Sequence, residues 1–276
     1  PSGRGMRAQG IISAPSRKVR AARASGHSVD RALPEEVPVA LVHNGSTFAV
    51  MMTTPSDLED FAWGFALSEG VAPQEELGEV EVIEHEAGIE ARLWLPEPRI
   101  AALNARRRAM VGPVGCGLCG IDSLEEAGRK VPTVPGGIAL SETDVALALD
   151  ELRDWQPLHD ETHAVHGAGF FVPGTGIVMA REDVGRHNAL DKLIGAMARA
   201  GIDPACGAIV LTSRLSLEMV QKAAMAGAGI LCAVSAPTAH AVRVADKAGL
   251  TLVSRGRDGI SVFTHPHRIK ENDHVL

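Results

Sequence analysis

Two cysteines three positions apart, Cys116 and Cys119, lie in the run Gly115-Cys116-Gly117-Leu118-Cys119-Gly120. Read by its glycines, the run matches the dinucleotide pattern GxGxxG. Read by its cysteines, it is a CxxC. The dinucleotide fingerprint needs a strand before it, a long helix after it and an acidic residue about 20 positions on. Val111-Gly112-Pro113-Val114 is too short and broken for a buried strand, so that context fails. Zinc needs two further ligands, for which His159, His163 and His166 are the candidates. A zinc deaminase places H-x-E before P-C-x-x-C, whereas His159-Asp160-Glu161 follows the cysteines, and Gly115 stands where the proline would be. What remains is reactive sulfur. A thiolate is the nucleophilic form, and a nearby arginine, histidine or helix N-terminus lowers its pKa. Three glycines leave the backbone free to swing a sulfur between two partners. Such a thiolate takes sulfur as a persulfide, and a second cysteine can release it through a transient disulfide. The other cysteines, Cys206 in CGAIVLT and Cys232 in GILCAVSA, read as inert thiols in buried strands.

Three further groups offer binding chemistry. Asp183, Arg186, His187, Asn188 and Lys192 gather at a helix start, where Asn188 reads as an N-cap with Asp191 reaching back. His187 can shuttle a proton or contact a ligand, and a structural role is the competing reading. Arg214 precedes a helix opened by Ser216, so the amides there are placed to hold an anion. Ser254-Arg255-Gly256-Arg257-Asp258-Gly259 reads as a loop at a strand end, where sheet crevices take ligands. Its arginines match phosphate geometry, and its glycines admit close backbone approach. A plain hairpin turn with solvated arginines is the alternative.

The elements that must position these groups follow from periodicity. VPVALVHNGSTFAVMM alternates around Asn44-Gly45, a hairpin signal. Thr54 reads as the cap of a helix with Pro55 first and Asp57 three residues on, and Leu58, Phe61, Ala62 and Phe65 form its apolar face. VEVIEHEAGIEARLWL reads as a second hairpin. Ser141 with Asp144 starts another helix, and GAGFFVPGTGIVMARED gives two strands. HNALDKLIGAMARAG follows as a helix, and strands then alternate with helices through GAIVLT, ILCAVSA and LTLV to a final ISVFTH. This pattern predicts an α/β fold with a largely parallel sheet covered on both sides, beside a smaller N-terminal α+β subdomain. The expected divisions are a disordered basic arm over 1–32, the α+β subdomain over 33–133 ending in the CxxC loop, and the larger domain over 134–276.

Charge supports the first division. Residues 1–31 hold Arg4, Arg7, Arg17, Lys18, Arg20, Arg23 and Arg31 against Asp30 alone, in a chain of formal net charge −7. No apolar run approaches a membrane span, and no signal-peptide core is visible. The expectation is a cytoplasmic protein that engages neither membrane nor nucleic acid. Four cysteines in 276 residues are too few for a disulfide scaffold.

Three stretches together resemble a known family: the CxxC; Ala180 to Gly195, AREDVGRHNALDKLIG; and Ser213 to Ala223, SRLSLEMVQKA, running on to AVSAPT at 233–238. EVPVALVHNG and MTTPSDLEDFAWGFALSEG near the front and LTLV with VFTHPHR near the end match it too. The chain resembles the formate dehydrogenase accessory sulfurtransferase family, FdhD, over roughly residues 35 to 268. The resemblance implies a sulfurtransferase of carrier type that takes sulfur from a cysteine desulfurase. It delivers that sulfur to a bis(molybdopterin guanine dinucleotide) molybdenum or tungsten cofactor bound for formate dehydrogenase. It also implies a three-layer α/β/α sandwich resembling cytidine deaminase, a homodimer and no intrinsic metal. Carried over by motif, Cys116 is the persulfide carrier with Cys119 its neighbour, and Ser254, Arg255, Gly256, Arg257, Asp258 and Gly259 bind the cofactor, with Arg214, Arg186 and His187 as further candidates. A chaperone that holds the cofactor without sulfur chemistry is the alternative.

Overall fold

The computed structural model describes residues 14–22, 24–25, 27–101, 103 and 131–270. The chain opens with an antiparallel ribbon of β1 (Ser16–Ala22) and β2 (Ser28–Pro34). The expected disordered arm is therefore ordered over these residues. Backbone pairing, from Ser16 opposite Pro34 to Ala22 opposite Ser28, holds the ribbon, and exposed ion pairs add little to it. Its charges pair, Arg17 with Glu35 and Arg20 with Asp30 across the strands at 3.9 Å. It is also tied to the larger domain, where the Ser16 hydroxyl donates to Glu161 at 3.0 Å.

β3 (Val37–His43) and β4 (Ser46–Thr53) form the expected hairpin, with Asn44 and Gly45 both left-handed at φ 45° and 78°. After α1 (Leu58–Ser68) come β5 (Val80–His85) and β6 (Gly88–Leu93), which complete a four-stranded sheet in the order β4-β3-β6-β5. Phe61 and Phe65 of α1 pack on Val39, Leu41, Ile89 and Ala91 of that sheet. The α1 start differs from the reading of the sequence. Asp57, left-handed at φ 53°, is the N-cap and makes no side-chain cap bond. Thr54 is occupied elsewhere, in the buried cluster described below.

His43 at the end of β3 is buried, with its ring 5.2 Å from that of Phe48. Burial pushes its pKa down from 6.5 to about 4. The unfolded chain thus takes up a proton in that window that the folded chain refuses. Stability present above pH 6.5 is lost as pH falls toward 4, to a limit of roughly 3 kcal/mol. His43→Phe should flatten this acid limb in urea unfolding compared at pH 7 and 4.5. An unchanged pH slope would exclude His43 as its source.

The second half runs β7 (Leu140–Ser141), α2 (Glu142–Glu151), α3 (Pro157–Thr162), β8 (His166–Val172), β9 (Gly176–Asp183), α4 (Arg186–Arg199), β10 (Ala208–Leu211), α5 (Leu217–Met225), β11 (Ile230–Ala233), α6 (Ala239–Ala248), β12 (Thr251–Gly256), β13 (Gly259–Val262) and β14 (Ile269–Lys270). Ser141 and Asp144 close the capping box of α2 reciprocally. Six strands form the central sheet in the order β13-β12-β11-β10-β8-β9. Only β10, β11 and β12 are parallel to one another, joined through helices. β8–β9 and β12–β13 are tight hairpins, and short connections force antiparallel pairing, so both edges depart from the expected parallel sheet.

Both faces of this sheet are covered. Ile209 and Leu211 of β10 face α4, α5 and α6, while Ala208 and Val210 face α2 with Val145, Ala148 and Leu149. Strands buried on both sides read as continuous apolar runs, as AIVL and ILCA do. The mixed α/β, three-layer expectation therefore holds. The two sheets are joined helix to helix. A Cβ on Gly64 of α1 would lie 1.6 Å from the Asp191 carbonyl oxygen, and one on Gly195 of α4 would lie 1.8 Å from that of Asp60. The helices meet backbone to backbone, which only glycine permits. Asp60 fixes the crossing by accepting from Arg181 at 2.8 Å and from Arg199 at 2.5 Å.

Cys232 is buried in β11 as expected, its thiol pushed up to about 12 by desolvation. Cys206 is not in a strand. Asp203 caps a short turn over Pro204–Cys206, and a Cβ at Gly207 would lie 2.3 Å from the Phe171 carbonyl oxygen. The strand begins only after that close approach, which leaves Cys206 exposed.

Candidate functional site

The carboxyl ends of β10, β11 and β12 lie side by side, with Leu211 opposite Ala233 and Ala233 opposite Ser254. β8 enters the same edge antiparallel. The Thr212 amide donates to the Gly167 carbonyl at 3.1 Å, and the Gly167 amide donates to Thr212 Oγ1 at 2.9 Å. The connector from α2 to α3 closes over this edge and leaves a cavity of about 400 Å³. Its polar lining includes Arg153, Gln156, His159, His166, Thr212 and Arg255.

Several of these polar groups are held by specific partners. Arg255 donates to Asp150 at 2.6 Å, and that hydrogen bond holds the Asp150 carboxyl below its usual range. Arg153 Nη1 lies 2.9 Å from His159 Nε2, while His159 Nδ1 lies 3.2 Å from the Val165 carbonyl. A carbonyl only accepts and a guanidinium only donates, so the ring proton belongs on Nδ1. Glu182 accepts from the amides of Leu158 and His159, both at 2.8 Å, and so anchors the first turn of α3. Burial raises the Glu182 pKa, and those two amides oppose the rise. Gln156 differs: it is 1 % exposed, and neither Nε2 nor Oε1 has a partner among the described residues. Burial lowers the pKa of His166, helped by the nearby charge of Arg186.

Across the sheet edge, the string from Asp183 to Lys192 proves to be mostly a buried brace. Asp183 Oδ2 accepts from Lys192 Nζ at 2.7 Å, from the Thr54 amide at 3.0 Å and from the Thr53 hydroxyl. Its Oδ1 accepts from the Gly185 amide at 2.8 Å and from Asn188 Nδ2 at 3.0 Å. The N-cap of α4 is Gly185, one position before the helix starts at Arg186. Asn188 therefore lies inside the helix, where it ties Met52 to Asp183 instead of capping. Asp191 does not reach back either; it pairs with Lys222 at 2.9 Å and accepts from Ser68 at 2.6 Å. Arg186 and His187 remain partly exposed at the start of α4, with His187 Nε2 3.5 Å from Glu218. Burial lowers the His187 pKa, and Arg186 adds to the effect.

The motif-derived residues are thus divided. Arg255 lines the cavity. Ser254 is buried beside it in β12. Gly256 pairs with Gly259, leaving Arg257 and Asp258 as the exposed tip of the β12–β13 hairpin. Arg214 is exposed in the loop between β10 and α5. Arg186 and His187 sit at the start of α4. Cys116 and Cys119 lie outside the described residues. Arg153, Gln156 and Asp150 carried no signal in the sequence beyond their position before the Pro157 that opens α3.

Comparison with known proteins bears on the whole chain. The FdhD/NarQ family pattern matches residues 34–270. A sulfur carrier protein FdhD from Agrobacterium fabrum is 52% identical over 244 residues, covering 87% of this chain and 90% of that protein. One from Xanthomonas axonopodis pv. citri is 44% identical over 271 residues, covering 98% and 95%. A crystal structure described as a formate dehydrogenase accessory protein from Desulfotalea psychrophila superposes with a TM-score of 0.70. It is 26% identical in sequence, and the match covers 92% of this chain and 98% of that one.

Proposed function

The chain belongs to the FdhD/NarQ family, and from that premise we propose that it carries sulfur for formate dehydrogenase. Its cargo site is Cys116. Its substrate is a bis(molybdopterin guanine dinucleotide) cofactor of molybdenum or tungsten, sulfurated before insertion into the catalytic subunit. The sulfur donor is a cysteine desulfurase. The Cys116 thiolate attacks the outer sulfur of the donor's persulfide, the S–S bond breaks, and the desulfurase departs as a thiolate. Attack by the Cys119 thiolate on Cys116 then frees hydrosulfide for the metal and leaves a Cys116–Cys119 disulfide, which a dithiol reductant reopens.

The observation that carries the cofactor half of this reading is the cavity of about 400 Å³ with Arg255 and Arg153 in its wall. It lies at the carboxyl edge of a sheet, where α/β folds place ligands. Asp150 accepts from Arg255 Nη2 and the Ala146 carbonyl from Nη1 at 3.5 Å, which steadies the guanidinium and leaves its remaining donors to meet a phosphate. GDP is the accessible fragment of the cofactor. Calorimetric titration should show binding to the intact protein, weakened by about tenfold or more in Arg255→Ala, as a lost charged hydrogen bond implies. Absence of GDP binding, or an Arg255→Ala affinity equal to that of the parent, would contradict the cofactor assignment.

A further inference from the structure

Gln156 is the buried side chain whose donor and acceptor both lack a partner among the described residues. It stands at the N-cap of α3, its carbonyl accepting from the Asp160 amide at 2.9 Å. Gln156 is among the residues that wall the cavity, and its side-chain amide is buried beneath that wall, with donor and acceptor both unmatched among the described residues. A buried amide without partners is a penalty that leucine would avoid at similar volume. The backbone beneath has made room for it. A Cβ on Gly167 would lie 2.6 Å from Gln156 Nε2 and 2.8 Å from its Cδ. Two independent choices, an unsatisfied amide and a glycine that accommodates it, thus converge on one wall of one cavity.

We propose that Gln156 reads the heterocycle of the bound ligand, its Oε1 accepting from a ring N–H and its Nε2 donating to the adjacent ring carbonyl. That lactam edge is the ligand class the amide complements in bidentate fashion. The inference rests on the cofactor reading given above. Within such a cofactor, both the guanine and the pterin carry a lactam. Arg153 and Arg255 in the same wall fit the phosphates that adjoin the guanine. The amide therefore meets the guanine N1–H and O6, while the arginines meet the diphosphate.

The role separates cleanly from a structural one, because the two predict opposite effects on stability. Gln156→Leu removes an unmatched buried amide, so the ligand-free protein should keep or raise its Tm. The same variant should weaken GDP by about ten- to hundred-fold through the loss of two hydrogen bonds, with inorganic pyrophosphate affinity unchanged. Gly167→Ala, which displaces the amide, should weaken GDP in the same direction. A Gln156→Leu protein that binds GDP like the parent, loses pyrophosphate in proportion or melts lower would overturn the inference. A response confined to free pterin would overturn the assignment to guanine. Failure of the parent protein itself to bind GDP would strike the cofactor reading as well, and so is distinguishable from failure of the Gln156 role alone.

Discussion

A strain whose only copy carries Cys116→Ala is expected to lose formate dehydrogenase activity to the level of a deletion, roughly 1000-fold or more, while the purified variant keeps its Tm and its affinity for GDP. The size of the effect follows from nucleophilic catalysis. A methyl group cannot hold sulfur, and Cys119 left alone has no second thiol with which to release any sulfur as hydrosulfide. The two cysteines outside the CxxC do not rescue it either, for different physical reasons. Cys232 is encased in β11 with its thiol pushed up to about 12, so at neutral pH it is neither ionised nor reachable. Cys206 is exposed and open to adventitious sulfur, so the decisive background is Cys206→Ser. In that background, desulfurase plus cysteine should add about 32 Da, one sulfur atom, to the parent protein. The adduct should be absent after Cys116→Ala. Persistence of the adduct would move the cargo site to another residue. Loss of the adduct with activity intact would favour a chaperone that holds the cofactor without sulfur chemistry. Cys119→Ala should still load sulfur and fail to discharge it, giving a longer-lived adduct.

What could be read from the sequence was what depends on neighbours in the chain. The Asn44-Gly45 hairpin, the Ser141–Asp144 capping box and the strand pair around Gly174 are each decided within a few residues. Thr54 was misread because Ser/Thr-Pro before an apolar face is a local helix-start pattern, whereas its actual partners, Asp183 and Val184, lie some 130 residues away. Asn188 was misread for the same reason, since its side chain serves Met52 across the sheet edge. The ribbon over residues 16–34 looked like a solvated tail because its charges are dense, whereas its strand pairing and the Ser16–Glu161 hydrogen bond across 145 residues leave no trace in composition. Arg255 was legible as a cation at a strand end. Gln156 was not, because its signal is the lack of a partner, a property no sequence displays. The assignment of Cys116 and Cys119 stands on motif and chemistry, as both lie outside the described residues.

Asp183→Ala is expected to destabilise the fold by about 3–5 kcal/mol, far more than Lys192→Met, although the two residues form one ion pair. Both side chains are 0% exposed and 2.7 Å apart. Symmetric reasoning would assign equal costs, but the hydrogen bonds are not symmetric. Asp183 also accepts from the Thr53 hydroxyl, the Thr54 and Gly185 amides and Asn188 Nδ2. Removing the carboxylate strands a buried ammonium and those four donors at once. Removing the ammonium leaves a carboxylate that four donors still solvate, and methionine refills much of the volume, so about 1–2 kcal/mol is expected. Lys192 keeps a carbonyl partner, Thr54 O at 3.0 Å, which does not offset its charge. Combining Asp183→Asn with Lys192→Met removes both charges together and should recover part of the Asp183→Ala loss. Urea unfolding decides the matter through midpoints compared at constant slope. Equal costs for Asp183→Ala and Lys192→Met would show the pair to be an ordinary buried ion pair. A larger cost at Asp183 identifies the carboxylate as the point where the end of β4, the end of β9 and the start of α4 are tied together, and through which the N-terminal sheet fixes where Arg186 and His187 stand.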